Sequence, residues 1–196
     1  MTERVSKNSS VELTRPRRVV TGHDENGRSI IVSDGPAPHL TEPPGLPGMR
    51  ASVLWVTDCS PASTEGSEDA APAHLRDAMG PPPAGTLLRI ADFPPESEWA
   101  NADMDSIFHH INRGDDPRDG VPNDSAERHF FFHKTPTVDY AIVLEGEIWA
   151  LLDEAETCLK TGDVLIQRGT SHSWANRSNR PARMAFILID ASDNGG

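Results

Sequence analysis

Imidazole is the side chain whose ordinary pKa lets it bind a transition metal or move a proton near neutral pH, and this chain of 196 residues holds eight of them. His129, His133 and His172 fall in segments of strand character. Along a strand alternate residues share a face. His133, Thr135 and Asp139 can therefore look into one interior while His172 approaches from a neighbouring strand. By the same parity Phe131 stands beside His133 and Trp174 beside His172, and Gln167 is placed to enter near the mouth. A cavity with aromatic walls and a few polar groups suits a small, flat or unsaturated organic ligand.

Each of these residues also has a plainer reading. A single histidine on a strand is ordinarily a hydrogen-bonded core residue, and Asp139 can be an acid that accepts hydrogen bonds from a turn or an arginine. Phe131 and Trp174 can be simple core aromatics. His129 reads as a rim residue or a displaced member of that group, and His109 and His110 as surface residues or part of a lid. Lys134 and Arg168 point the other way and belong at the rim, where either could attract a carboxylate. Glu145 and Glu147 are solvated turn residues.

The elements that must position these groups are strands. Residues 1–15 are polar and read as a flexible terminus. Residues 16–95 hold N-terminal strands: a hairpin over 17–33 turning at Asp24-Glu25-Asn26-Gly27, a strand over 51–57, a Pro-, Ser- and Ala-rich loop over 60–85, and a strand over 85–93. Pro94-Pro95 stops that strand, because neither proline can donate to a ladder. Residues 96–128 form an insertion, with a short helix over 96–111 capped by Ser97 and an irregular stretch after it. Strands then follow at short spacing over 128–133, 139–152, 156–159, 163–167, 172–176 and 183–190, with no fixed-period repeat. That spacing specifies an all-β sandwich or barrel of one domain.

Composition narrows the partners. The formal net charge of −12 leaves no basic stripe for phosphate, which argues against a nucleic acid or an anionic membrane surface. A small molecule fits better. Cys59 and Cys158 sit in no CxxC pattern, the first residues lack the apolar core of a secretory signal, and no apolar run approaches the roughly 20 residues of a membrane span. The expected compartment is the cytoplasm.

The second half resembles the cupin superfamily. The first cupin motif, His-x-His followed by Glu and Gly, is represented by His133, an acid at Asp139 and Gly146. The second, Gly-x-x-His-x-x-x-Asn, is matched in full by Gly169, His172 and Asn176 and opens with Gly162-Asp163. Fifteen residues separate Gly146 from Gly162. The likeness covers about residues 128–190, with the motif strands at 129–191, and the leader over 17–33 is similar to that of a subfamily of small bacterial cupins.

The resemblance implies a double-stranded β-helix, or jelly-roll barrel, with an N-terminal hairpin arm. In metal-binding cupins the motif positions hold three histidines and a glutamate. Here Thr135 replaces the second histidine and Asp139 the glutamate, leaving His133, Asp139 and His172 as the implied ligands of a divalent Fe, Mn, Ni or Zn ion. Phe131, Thr135, Gln167 and Trp174 would line the substrate. The implied function is a metal-dependent enzyme acting on a small carbonyl or aromatic compound: a dioxygenase, decarboxylase, dehydratase or isomerase. The alternative is a metal-free binding or accessory protein. Exchange of the hairpin arm between copies implies a homodimer.

Overall fold

Alternating β-branched segments broken by turn residues do form strands along the chain. The structure is a computed structural model that describes residues 13–43, 45–66, 69–71, 73–75, 78–99, 129 and 131–192. Among these residues there are eleven strands: β1 (Arg17–His23), β2 (Ser29–Pro36), β3 (Leu40–Thr41), β4 (Arg50–Thr57), β5 (Thr86–Phe93), β6 (Thr137–Glu145), β7 (Glu147–Leu152), β8 (Glu156–Lys160), β9 (Val164–Arg168), β10 (His172–Ala175) and β11 (Ala182–Asp190).

A six-stranded sheet in the order β3-β4-β5-β11-β6-β9 faces a three-stranded sheet in the order β10-β7-β8. The core fills the space between them. Val53, Leu87, Phe93, Val143, Met184, Phe186 and Leu188 come from the larger sheet, and Ile148, Ala150, Leu159 and Trp174 from the smaller. Burying such side chains contributes roughly 1.5–3 kcal/mol each. This is the all-β architecture expected from the strand spacing, in the jelly-roll form that the cupin resemblance implies.

The hairpin β1–β2 forms its own two-stranded sheet. The Asp24 carboxylate accepts the backbone N–H of Asn26 and of Arg28, each at 2.9 Å, and Gly27 takes the positive φ of 75° that the turn needs. Val19, Ile30, Ile31 and Val32 on this hairpin are exposed.

Several boundaries differ from expectation for local reasons. The single strand expected over 139–152 is divided at Gly146, whose φ is 78° and whose Cα leaves no room for a Cβ beside the Pro181 carbonyl. The strand expected over 128–133 is not formed by the described residues. The Phe132 N–H closes a turn onto the His129 carbonyl, and His133 makes only an isolated bridge to His172. Pro136 then has no N–H with which to extend the ladder. Of the helix expected over 96–111, Glu96–Trp99 forms a 3-10 turn, and the rest, with His109 and His110, lies outside the described residues. Among the described residues of the 60–85 loop the regular element is a 3-10 turn at Ala73–Leu75. The short strand β3 was not anticipated.

Candidate functional site

The isolated bridge makes His133 and His172 a directly opposed antiparallel pair. Each backbone N–H bonds the other's carbonyl at 3.0 Å, so both side chains leave the same point of the ladder. Their ring centroids lie 4.4 Å apart. A strand pair at this spot arises because Gly169, at φ 58°, turns the chain from β9 into β10 and delivers His172 opposite His133.

The two rings are held in the same way. His133 Nδ1 donates to the Phe131 carbonyl at 2.7 Å, and His172 Nδ1 donates to the Thr170 carbonyl at 3.0 Å. A carbonyl can only accept, so both imidazoles carry their proton on Nδ1 and keep the Nε2 lone pair free. Burial pushes both away from the charged form. His172 is driven down to about 3, by burial first and by its neighbour His133 second. His133 moves the same way, through burial and the charge of Arg89, against the opposing pull of the Phe131 carbonyl.

The other expected residues fall around this pair in graded fashion. Trp174 packs edge-on to His172 at 5.9 Å and to Phe186 at 5.4 Å, joining the site to the core. Asp139 is paired in register with Gln167 across β6 and β9, and both are buried. Gln167 donates to the Thr170 carbonyl at 3.1 Å, the same carbonyl that holds His172. Thr135 and Thr137 are buried and joined through their hydroxyls at 2.8 Å. Phe131 contributes its carbonyl to His133, while its ring stands edge-on to Trp99 at 6.0 Å. Lys134 and Arg168 are exposed, as rim residues would be. His129 is a bridge: its ring nitrogens bond Ser173 and Glu96, each at 2.6 Å, tying the segment before His133 to the back of β10.

One residue of this interior escaped the sequence reading. Arg89 on β5 shares the inward face with Leu87, Ala91 and Phe93, and it is paired with Phe186 on β11. Its charge acts on both Asp139 and His133. The signal was available, since a lone arginine on the apolar parity of a strand is unusual.

Comparison with known proteins finds curated relatives along most of the chain. The chain is 30% identical over 194 residues to phomopsin biosynthesis cluster protein C' of Diaporthe leptostromiformis, covering 93% of this chain and 82% of the relative. It is 27% identical over 195 residues to the cupin-domain-containing oxidoreductase fogC of Aspergillus ruber, covering 92% and 75%. A third relative, the cupin-domain-containing oxidoreductase virC of Hypocrea virens, is 24% identical over 189 residues, covering 91% and 77%.

The chain belongs to the cupin superfamily. No family model matches it. Among solved structures, a Cupin 2 conserved barrel domain protein of Salinispora arenicola covers 74% of this cupin and 77% of itself at 13% identity and a TM-score of 0.37. In this cupin the motif asparagine is a structural staple: Asn176 donates to the carbonyls of Phe93 and Arg180 at 2.7 and 2.8 Å and accepts from Ser178.

The fold implies a divalent metal at the motif positions, and the donor chemistry is partly right for one. Neutral imidazoles with Nδ1 tied to a carbonyl and Nε2 free are oriented as metal-binding histidines are. Asp139 Oδ1 is buried without a hydrogen-bond partner, and burial pushes its carboxyl up, against the pull of Thr137 and Arg89. Yet among the described residues no three His, Cys, Asp or Glu side chains gather into a metal cage. The histidine pair fits a divalent ion, and Asp139 is not gathered with it into a three-ligand group among the described residues.

Proposed function

We propose that this cupin is a small-molecule biosynthetic enzyme that works inside the barrel on a carbonyl or aromatic compound set against His133 and His172. The observation that carries this reading is the opposed imidazole pair, His172 buried and His133 half-buried, both neutral and with both Nε2 atoms free. Oxidoreductase chemistry is the class to which the names of fogC and virC point. The names of other relatives, from phomopsin and oryzine biosynthesis clusters, support a place in the tailoring of a secondary product.

In the first form of this proposal His133 and His172 hold a divalent transition metal, with the remaining positions filled by water or substrate. Bound there, such an ion would polarise a carbonyl or enolate, or bind oxygen. The chain's own residues hold the imidazoles in the right tautomer through Phe131 and Thr170 and exclude water with Trp174 and Phe186. The second form is a metal-free site in which the same Nε2 atoms accept hydrogen bonds from the substrate. The half-buried cation Arg89, which disfavours a second positive charge nearby, supports this form. A homodimer joined through the β1–β2 arm belongs to the same proposal, supported by the exposed Val19, Ile31 and Val32 on that hairpin.

The test is elemental analysis of untagged protein purified without added metal or chelator, followed by titration with Fe(II) and Zn(II). Uptake of about one ion per chain that is lost in both His133→Ala and His172→Ala supports the metal form. A folded protein that takes up neither ion removes the metal form and leaves the metal-free one. Small-molecule binding that is indifferent to both substitutions would overturn the reading as a whole.

A further inference from the structure

The inference concerns Arg89, and it rests on the reading of the barrel interior as the substrate site. The β5 strand pairs Arg89 with Phe186 on one side and Val53 on the other, so the side chain starts among core residues. The guanidinium carbon lies 5.9 Å from the centre of the Phe186 ring. Nη1 donates to the Ala78 carbonyl at 3.2 Å and stands 3.8 Å from the Met79 sulfur. The Nε atom is shut away from water and has no partner, and Arg89 makes no ion pair among the described residues.

A guanidinium stays charged at any pH a protein meets, and removing it from water costs several kcal/mol unless a carboxylate or another anion takes its protons. Among the described residues the carboxylate whose charge acts on Arg89 is that of Asp139. It acts through space, yet the two form no ion pair, and Asp139 Oδ1 is itself without a hydrogen bond. A buried carboxyl and a half-buried guanidinium are thus present in one interior, each with a buried polar atom that has no hydrogen-bond partner and neither satisfied by the other. The Phe186 ring beside the guanidinium packs against Trp174, which packs in turn against His172, so the cation and the histidine pair border one interior.

We propose that Arg89 anchors the anionic group of the substrate, and that the ligand of this barrel is a small planar organic anion, a carboxylate or an enolate. The flat fork of a guanidinium matches such a group with paired N–H donors, and Phe186 and Trp174 offer apolar walls for the attached ring or unsaturated chain. An incoming anion would supply the ion-pair partner that the described residues do not give Arg89. The uncharged carbonyl or hydroxyl of the same molecule would then fall to the histidines.

The experiment compares benzoate with benzamide, which has nearly the same shape and no charge, by calorimetry and by the ring resonances of His172. Wild-type protein should bind benzoate about ten- to hundred-fold more tightly than benzamide, the equivalent of a charge-assisted hydrogen-bond pair, with His172 shifted by both. Arg89→Met should abolish the preference without lowering the melting temperature, since it removes an unpaired buried charge; Arg89→Lys should keep part of it. Equal binding of the two probes, or a preference that survives in Arg89→Met, would overturn the anion site while leaving the interior as the ligand site. Failure of both probes to bind or to shift His172 would overturn the barrel reading and the anion site with it. A lower melting temperature in Arg89→Met with benzoate affinity intact would show Arg89 to be a structural residue and refute the proposal.

Discussion

Acidifying the metal-free protein from pH 7 to pH 5 should weaken it through His172. In the fold this imidazole stays neutral down to about 3, whereas in the unfolded chain it takes a proton near its ordinary value of 6.5. Between those two values the unfolded chain binds a proton that the folded chain refuses. Stability therefore falls as pH drops below 6.5 and is restored above it. At pH 5 the loss from His172 alone is about 2 kcal/mol. His133, also pushed down by burial, adds in the same sense. Asp139 works in the opposite sense, because its raised carboxyl keeps a proton in the fold after the unfolded chain has released its own, so its contribution to stability declines as pH rises above the ordinary carboxylate value. A His172→Gln variant removes the one titration and retains the others. Urea unfolding with chelator present, at pH 7 and pH 5, should show the wild-type midpoint falling about 1 M further than the variant's. Equal losses in both proteins, or a His172 ring resonance that titrates near 6.5, would show that the imidazole is not held neutral and would remove the physical basis of the site.

Three further outcomes are expected. His129→Ala should leave metal uptake by the histidine pair within a few-fold of wild type, while destabilising the fold by about 1–3 kcal/mol in chemical denaturation, because the fully buried Ser173 hydroxyl loses its partner. Asn176→Ala should cost roughly 2–4 kcal/mol, measured the same way, since it strips hydrogen bonds from the Phe93 and Arg180 carbonyls at once; a neutral result would refute its role as a staple. Light scattering should give twice the chain mass for the intact protein and the single-chain mass after deletion of residues 17–36, and a monomeric intact protein at micromolar concentration would sink the arm-exchange proposal.

The amino-acid sequence by itself determined the fold class and the position of the histidine pair. Short strands with turn residues between them leave an all-β sandwich or barrel as the way to bury their alternate apolar faces. The motif glycines at 146, 162 and 169 all take positive φ values, so their backbone demand was written into residue type. Parity along β6 and β10 likewise put Asp139, His172 and Trp174 on inward faces. Tertiary structure decided how those inward groups use their polar atoms. Only three-dimensional pairing sets His133 against His172 through an isolated bridge and commits both Nδ1 atoms to backbone carbonyls. It likewise joins His129 to Glu96, 33 residues away. Arg89 shows the division most plainly. Its parity was legible in TLLRIADF, but that it forms no ion pair among the described residues depends on how β5, β6 and β11 pack, which no local pattern encodes.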